Sequence, residues 1–184
     1  MKLSKLFLVT AAALGTTAAF ADITVGVTVS ATGPAASLGI PEKNTFALVP
    51  TTAGGQKINF VILDDASDTT TAVKNARKFV TENKVDVIVG STITPNSLAM
   101  IDVAAESETP MISMAASARI VDPGNPKTKW IFKTPQNDIQ MATAIVEHMT
   151  NNNVQTVGFI GFSDAYGEGW YQEFAKIAEA RRLK

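Results

Sequence analysis

Apolar residues in this chain come in short runs of two periods, and the periods alternate. Ile23 to Val29 interleaves β-branched residues with small ones and predicts a strand. A loop with Ser30, Thr32, Gly33 and Pro34 follows, and Leu38 to Val49 then predicts a weak helix, interrupted by Pro41 and stopped by Pro50. Gly54-Gly55 turns the chain into a second strand, Ile58 to Leu63, which ends in Asp64-Asp65. Ala72, Val73, Ala76, Phe79 and Val80 fall on one face of the next helix. Val85 to Val89 is a continuous apolar run, as expected of a strand covered on both faces. Thr94-Pro95 predicts an N-cap followed by proline at the first helical position, with the helix running to about Ser107. Met111 to Met114 is a fourth strand.

Strands alternating with helices favour a parallel sheet with helices on both faces, and right-handed crossovers restrict this to a doubly wound α/β fold. The composition shifts after Ser117. Asp122, Pro123, Gly124, Asn125 and Pro126 form a loop, Trp130 to Lys133 is a short extended stretch, and Thr134-Pro135 breaks it. A new rhythm then begins. Ile139, Ala142, Ile145, Val146 and Met149 share a helix face, Thr156 to Ile160 predicts a strand, and Trp170, Phe174, Ile177 and Ala178 mark a last helix ending at Arg181-Arg182. A hinge is expected near 130–136. It divides an incomplete N-terminal α/β lobe, residues 22–133, from the start of a second lobe, residues 134–184.

The first 21 residues read as an address rather than as part of the fold. Lys2 and Lys5 precede the apolar run Leu6 to Leu14, which is too short to span a bilayer, and Ala19-Phe20-Ala21 is a small-x-small cleavage site. Cleavage would leave Asp22 first and place the protein outside the cytoplasm, in the periplasm. The chain has 184 residues, 46% of them hydrophobic and 18% charged, which is too apolar for intrinsic disorder. Formal charge is −1 with no basic stripe, so no nucleic-acid partner is expected. Cysteine is absent and His148 is the single histidine. Thiolate metal sites and multi-histidine zinc sites are thereby excluded, and a Ser-His-Asp triad would have to use His148.

Ligands of open α/β sheets bind beyond the carboxyl ends of the strands. Four loops fit that description: Ser30 to Gly39, Ser91 to Pro95, Ala115 to Ala118 and Ser163 to Gly167. Their polar content is mostly hydroxyl, with Arg119 and Asp164 as the main charged neighbours. Such a site suits a small neutral or zwitterionic ligand better than a polyphosphate. No G-x-x-x-x-G-K is present and no G-x-G-x-x-G follows the first strand, so no cofactor is expected. Thr94 either caps its helix or, with the amides of Asn96 and Ser97, holds a carboxylate at the positive helix end. Asp64-Asp65 could hold a metal or accept a phosphoryl group. A solvated turn opening the next helix is the favoured reading, and no metal site is expected. His148 lies beside an apolar stripe without a partner. Trp130 and Trp170 are expected to pack.

These same loops resemble the periplasmic branched-chain amino acid binding proteins, the Leu/Ile/Val-type receptors of ABC importers. The matching segments are I-T-V-G-V-T-V-S-A-T-G-P at 23–34, L-D-D-A-S-D at 63–68, G-S-T-I-T at 90–94, P-M-I-S-M-A-A-S-A at 110–118 and D-A-Y-G-E-G at 164–169. Their order and spacing over residues 22–184 carry the resemblance. It implies the type I periplasmic-binding fold, in which two α/β lobes joined by three crossovers close on a ligand. It further implies that Thr94 holds the ligand carboxylate, that Ala115 offers a carbonyl to the ammonium, that Ser117 offers a hydroxyl to both groups, and that Tyr166 closes over the ligand. Leu38 stands where leucine-type members carry an aromatic residue. The family runs about twice this length, so the chain is expected to be a truncated or split member.

The expected function is therefore extracytoplasmic binding of an amino-acid-like solute, without covalent chemistry, by a monomer that hands it to an ABC permease. Two alternatives belong to other classes. An extracytoplasmic α/β hydrolase would need a G-x-S-x-G elbow, which the sequence lacks. A ligand-sensing receptor domain can share this fold and would need an attached output segment.

Overall fold

The computed structural model describes residues 22–184; the expected secretion signal, residues 1–21, lies outside them. The elements in order are β1 (Ile23–Val29), α1 (Ala36–Thr45), β2 (Thr52–Ala53), β3 (Gln56–Asp64) and α2 (Thr69–Lys78), which runs on into a π turn (Phe79–Asn83). Then come β4 (Val87–Val89), α3 (Thr94–Glu106), β5 (Met111–Ser113), two 3-10 turns (Ala118–Val121 and Pro126–Trp130), β6 (Ile131–Lys133), α4 (Asp138–Asn151) and α5 (Ala165–Ala180). The expected strand-helix rhythm is present through β5.

The strands form one sheet in the order β2-β3-β1-β4-β5-β6, parallel except for the short β2, which pairs antiparallel with β3 across the Gly54-Gly55 turn. The order reverses on either side of β1, which makes the sheet doubly wound. Alternation along β1 builds both faces. Val25, Val27 and Val29 enter an apolar cluster with Phe46, Phe60 and Met114. Gly26 faces the opposite side, where a Cβ would come within 2.6 Å of the Phe79 ring. That second side holds the larger core, with Phe79, Ile88, Met100, Met111 and Ile120 inside it. A separate apolar cluster joins α4 to α5 through Ala142, Val146, Phe174 and Ala178.

Several expectations change. The extended stretch at Trp130 to Lys133 becomes β6 and pairs with β5 through Ile131, Phe132 and Lys133. The strand expected at Thr156 to Ile160 is not formed. The segment makes two reciprocal backbone bonds with the last residue, from Lys184 N–H to the Gln155 carbonyl at 2.9 Å and from Val157 N–H to the Lys184 carbonyl at 2.7 Å. No described strand runs alongside the rest of it, and Ile160 is fully exposed. A strand needs a neighbouring ladder as well as an apolar pattern. The N-cap of α3 is Ile93 rather than Thr94, and no side chain caps that helix.

Candidate functional site

The loops at the carboxyl ends of β1, β4 and β5 converge with residues 162–166 around a cleft of about 580 Å³. Its lining includes Leu38, Thr92, Thr94, Ala115, Phe162 and Tyr166. All four loops singled out from the sequence contribute. The convergence of the first three follows from the topology, because parallel strands deliver their exits to one edge of the sheet, whereas the 163–167 loop follows no strand of the sheet and reaches the cleft at the start of α5.

Thr94 sits in the first turn of α3 and is 2% exposed, and its hydroxyl has no hydrogen-bond partner. It therefore does not act as the cap. The sequence reading also changes in one detail. The Ser97 N–H is taken by the Ile93 carbonyl at 3.0 Å. Pro95 has no N–H, so Thr94 and Asn96 hold the first-turn amides that lack an intrahelical acceptor. A buried donor left unpaired is costly, and an acceptor arriving through the cleft would satisfy it. The positive end of the helix makes an anion the fitting acceptor.

Asp65 corrects the expectation of a solvated turn. It is fully buried and receives the hydroxyls of Thr28 at 3.2 Å, Ser30 at 2.7 Å and Ser91 at 2.7 Å, together with the Ser67 N–H at 3.0 Å. One carboxylate thus ties together the loops after β1, β3 and β4. The ring of donors satisfies it without a counter-ion, as a buried charge requires. Asp64 is exposed and receives the Thr32 hydroxyl and the N–H groups of Ala31, Thr32 and Ala66. Desolvation pushes its pKa up, but these donors together outweigh it and hold the carboxyl below its usual value. Helix α2 is capped by Asp68, whose carboxylate receives the Thr71 N–H at 2.7 Å.

The sequence reading gave no role to Glu42 of α1. The Thr92 hydroxyl donates to its carboxylate and accepts the Ser30 N–H at 2.9 Å. Burial raises the Glu42 pKa, the Thr92 bond lowers it, the negative charge of Asp65 raises it, and the net shift is upward. Helix α1 buries only Gly39, where a Cβ would stand 2.1 Å from the Ser30 carbonyl oxygen. Contact of Gly39 with backbone and of Glu42 with Thr92 therefore sets the position of Leu38 at the cleft. No local signal in the sequence marks Glu42, because its partner lies 50 residues away.

Of the four residues named from the sequence, Thr94, Ala115 and Tyr166 line the cleft together. Ser117 is 1% exposed and lies outside the lining; its hydroxyl accepts the Arg119 N–H at 3.3 Å and opens a 3-10 turn. Tyr166 is set at the start of α5 by Asp164, whose carboxylate receives the N–H groups of Tyr166 at 2.9 Å and Gly167 at 3.0 Å. His148 is exposed in the last turn of α4, away from the cleft. Trp170 packs on Phe174, and Trp130 lies under the Lys129 ammonium at 5.7 Å.

Hydroxyl and amide donors set among apolar walls are the equipment of a small-molecule receptor. Comparison with known proteins agrees. Residues 22–184 match the periplasmic binding protein family, and the chain belongs to it. It is 30% identical over 164 residues to the Leu/Ile/Val-binding protein homolog 3 of Brucella melitensis biotype 1, covering 85% of this chain and 44% of that one. An extracellular ligand-binding receptor from Rhodopseudomonas palustris HaA2 superposes with a TM-score of 0.85 at 47% identity, over 89% of this chain and 45% of the other. A solute-binding protein of an ABC transporter from R. palustris BisB5, solved in complex with 3,4-dihydroxybenzoic acid, gives 0.79 at 27% identity, over 86% and 44%. The chain thus spans less than half the length of these relatives. The fold is that of the type I periplasmic binding proteins, and the family consists of substrate-binding proteins, not enzymes, which sets the hydrolase reading aside.

Proposed function

We propose that this chain serves as the solute-binding component of an ABC importer in the periplasm, taking a small carboxylate-bearing solute into the cleft and presenting it to a membrane permease. The observation that carries the reading is the buried, unpartnered Thr94 hydroxyl at the amino end of α3. The ligand carboxylate accepts from that hydroxyl and from the first-turn amides, which are already aimed and need no reorganisation. In the first form of the proposal the solute is an amino acid. Its ammonium meets the Ala115 carbonyl and its side chain lies against Leu38. Residues 134–184 then form the start of a second lobe, which turns about the crossover near 130–136 and brings Tyr166 over the ligand. Ser117, whose hydroxyl accepts the Arg119 N–H, opens the turn that ends the 115–118 loop. The protein works as a monomer.

A second form has a specific observation in its favour. The walls at Leu38, Pro95, Met114 and Phe162 are apolar. An aromatic acid without an ammonium fits that lining, and the related R. palustris BisB5 protein was solved with one. Mass spectrometry of small molecules released from the purified protein, followed by calorimetry with L-leucine and with 3,4-dihydroxybenzoate, separates the two forms. Binding of neither class by the protein would overturn the proposal.

A further inference from the structure

The loop between β5 and the first 3-10 turn offers backbone groups to the cleft, and it is held from behind by two charged side chains that no binding role uses. Lys133, the last residue of β6, donates through Nζ to the Ala116 carbonyl at 2.9 Å and to the Pro135 carbonyl at 2.9 Å. Both acceptors belong to residues that line the cleft. Asp138, the first residue of α4, is 2% exposed and accepts the Ala118 N–H at 3.0 Å. It also accepts the Ile139 N–H at 3.2 Å.

Neither residue is explained by local structure. Helix α4 already has a cap in Asn137, which receives the Gln140 N–H at 3.0 Å while the Gln140 side chain receives the Asn137 N–H at 3.2 Å. Asp138 is therefore not needed to close the helix end, and its carboxylate reaches out to the loop instead. A lysine at a strand end ordinarily carries its ammonium into water. Here the ammonium turns inward onto two carbonyls. Burial lowers the Lys133 pKa, and the nearby Asp138 charge opposes that shift.

We propose that Lys133 and Asp138 are positioning residues that fasten the 115–118 loop to the crossover, Lys133 from the sheet side and Asp138 from the start of α4, so that the loop keeps its shape when the cleft closes. The Lys133 bonds hold the middle of the loop at Ala116, and the Asp138 bond holds its end at Ala118. The loop's start is held by the sheet, where the Ala115 N–H donates to the Ser113 hydroxyl at 3.1 Å. Rotation at residues 134–137 therefore bears on the end of the loop through Asp138, while its start and middle stay fixed to the sheet instead of going slack. The inference rests on the reading of the cleft as a ligand site.

The test uses the full chain and four variants. Lys133→Met and Asp138→Ala remove the bonds. Lys133→Arg keeps donors and Asp138→Asn keeps an acceptor oxygen. Amide exchange of Ala118, followed by NMR without ligand, should quicken about tenfold or more in the first pair and stay near the parent rate in the second. Ligand dissociation, measured with L-leucine and 3,4-dihydroxybenzoate, should quicken by about the same factor in the first pair only, with association little changed. Failure of rescue by Arg and Asn, or unchanged Ala118 exchange in folded Lys133→Met, overturns the proposal. If the parent chain takes up neither probe, the cleft reading fails, and the fastening is still judged by exchange. If Lys133→Met does not fold, Lys133→Arg against Asp138→Ala supplies the comparison.

Discussion

Thr94 concentrates the physical case for the cleft. Its hydroxyl is buried and unpaired in the chain itself, so a ligand carboxylate would give it the partner it lacks. Thr94→Val keeps the shape and removes the hydroxyl. Ligand affinity should fall by about 1.5–3 kcal/mol, the range for a hydrogen bond to a charged group, while thermal stability holds or rises because an orphan donor is gone. Calorimetry and a melting curve on the same variant read both effects, and unchanged affinity would remove Thr94 from the site. Glu42 makes a prediction about pH. Its raised pKa means that the folded chain holds the proton more tightly than the unfolded chain does. The stability linked to Glu42 is therefore fully present below its ordinary value of 4.5 and declines as pH rises through the higher folded value. Glu42→Gln keeps an oxygen to accept from Thr92 but does not ionise. Melting curves of parent and variant should move apart in the variant's favour as pH is raised from acid toward neutral, and parallel curves would contradict the assignment. Asp64 acts with the opposite sign, because its lowered pKa contributes stability that is lost as pH falls below the ordinary 3.8.

Among the elements, β1 and the segment 155–162 form a contrast. Ile23 to Val29 and Thr156 to Ile160 both read as strands in the sequence. β1 lies between β3 and β4, with Val27 and Val29 fully buried. In residues 155–162 Val157 and Phe159 rest on the α4–α5 cluster, whereas Ile160 at 100% and Phe162 at 74% exposure are outside. Backbone amides without a ladder are open to water. Hydrogen exchange should therefore be fast at Gly158 to Gly161 and slowest across Val25 to Val29. Equal protection in the two segments would show that residues 155–162 are paired in solution. The exposed Phe162 also borders the cleft, so this segment's setting bears on the proposed binding as well as on stability.

For the whole molecule, the proposed binding draws on parts that lie on different sides of the crossover. Thr94 and Ala115 belong to the sheet side, whereas Tyr166 enters from α5. The α4–α5 cluster is separate from the clusters that pack against the sheet, which fits rotation of one part against the other. Tyr166→Ala should therefore act mainly on ligand release, raising the dissociation rate with little effect on association. Stopped-flow kinetics would show this, and an unchanged dissociation rate would count against closure by Tyr166.

The sequence by itself determined the strand-helix order through β5, the turn at Gly54-Gly55, and the four loops that meet at the cleft. These are local matters, because side-chain period fixes the element type and parallel connectivity sends every strand exit to one edge. The place of Thr94 and Ala115 at the cleft was legible for that reason, and that of Tyr166 from the family resemblance of its loop. The roles of Asp65, Glu42, Lys133 and Asp138 were decided by the tertiary structure alone. Each has a partner 17 to 50 residues away, and a charged group's environment is set by what folding packs against it as well as by its neighbours in the chain. Asp65 shows this most plainly, since an acidic pair after a strand reads as a turn until three hydroxyls from two other elements close around it. Thr94 shows the reverse. Its sequence context is that of a cap, and only the position of Ile93 at the helix entrance left its hydroxyl without a partner. The strand at Thr156 to Ile160 was misread for a related reason, because an apolar, β-branched pattern is a property of one segment while a β-ladder belongs to two.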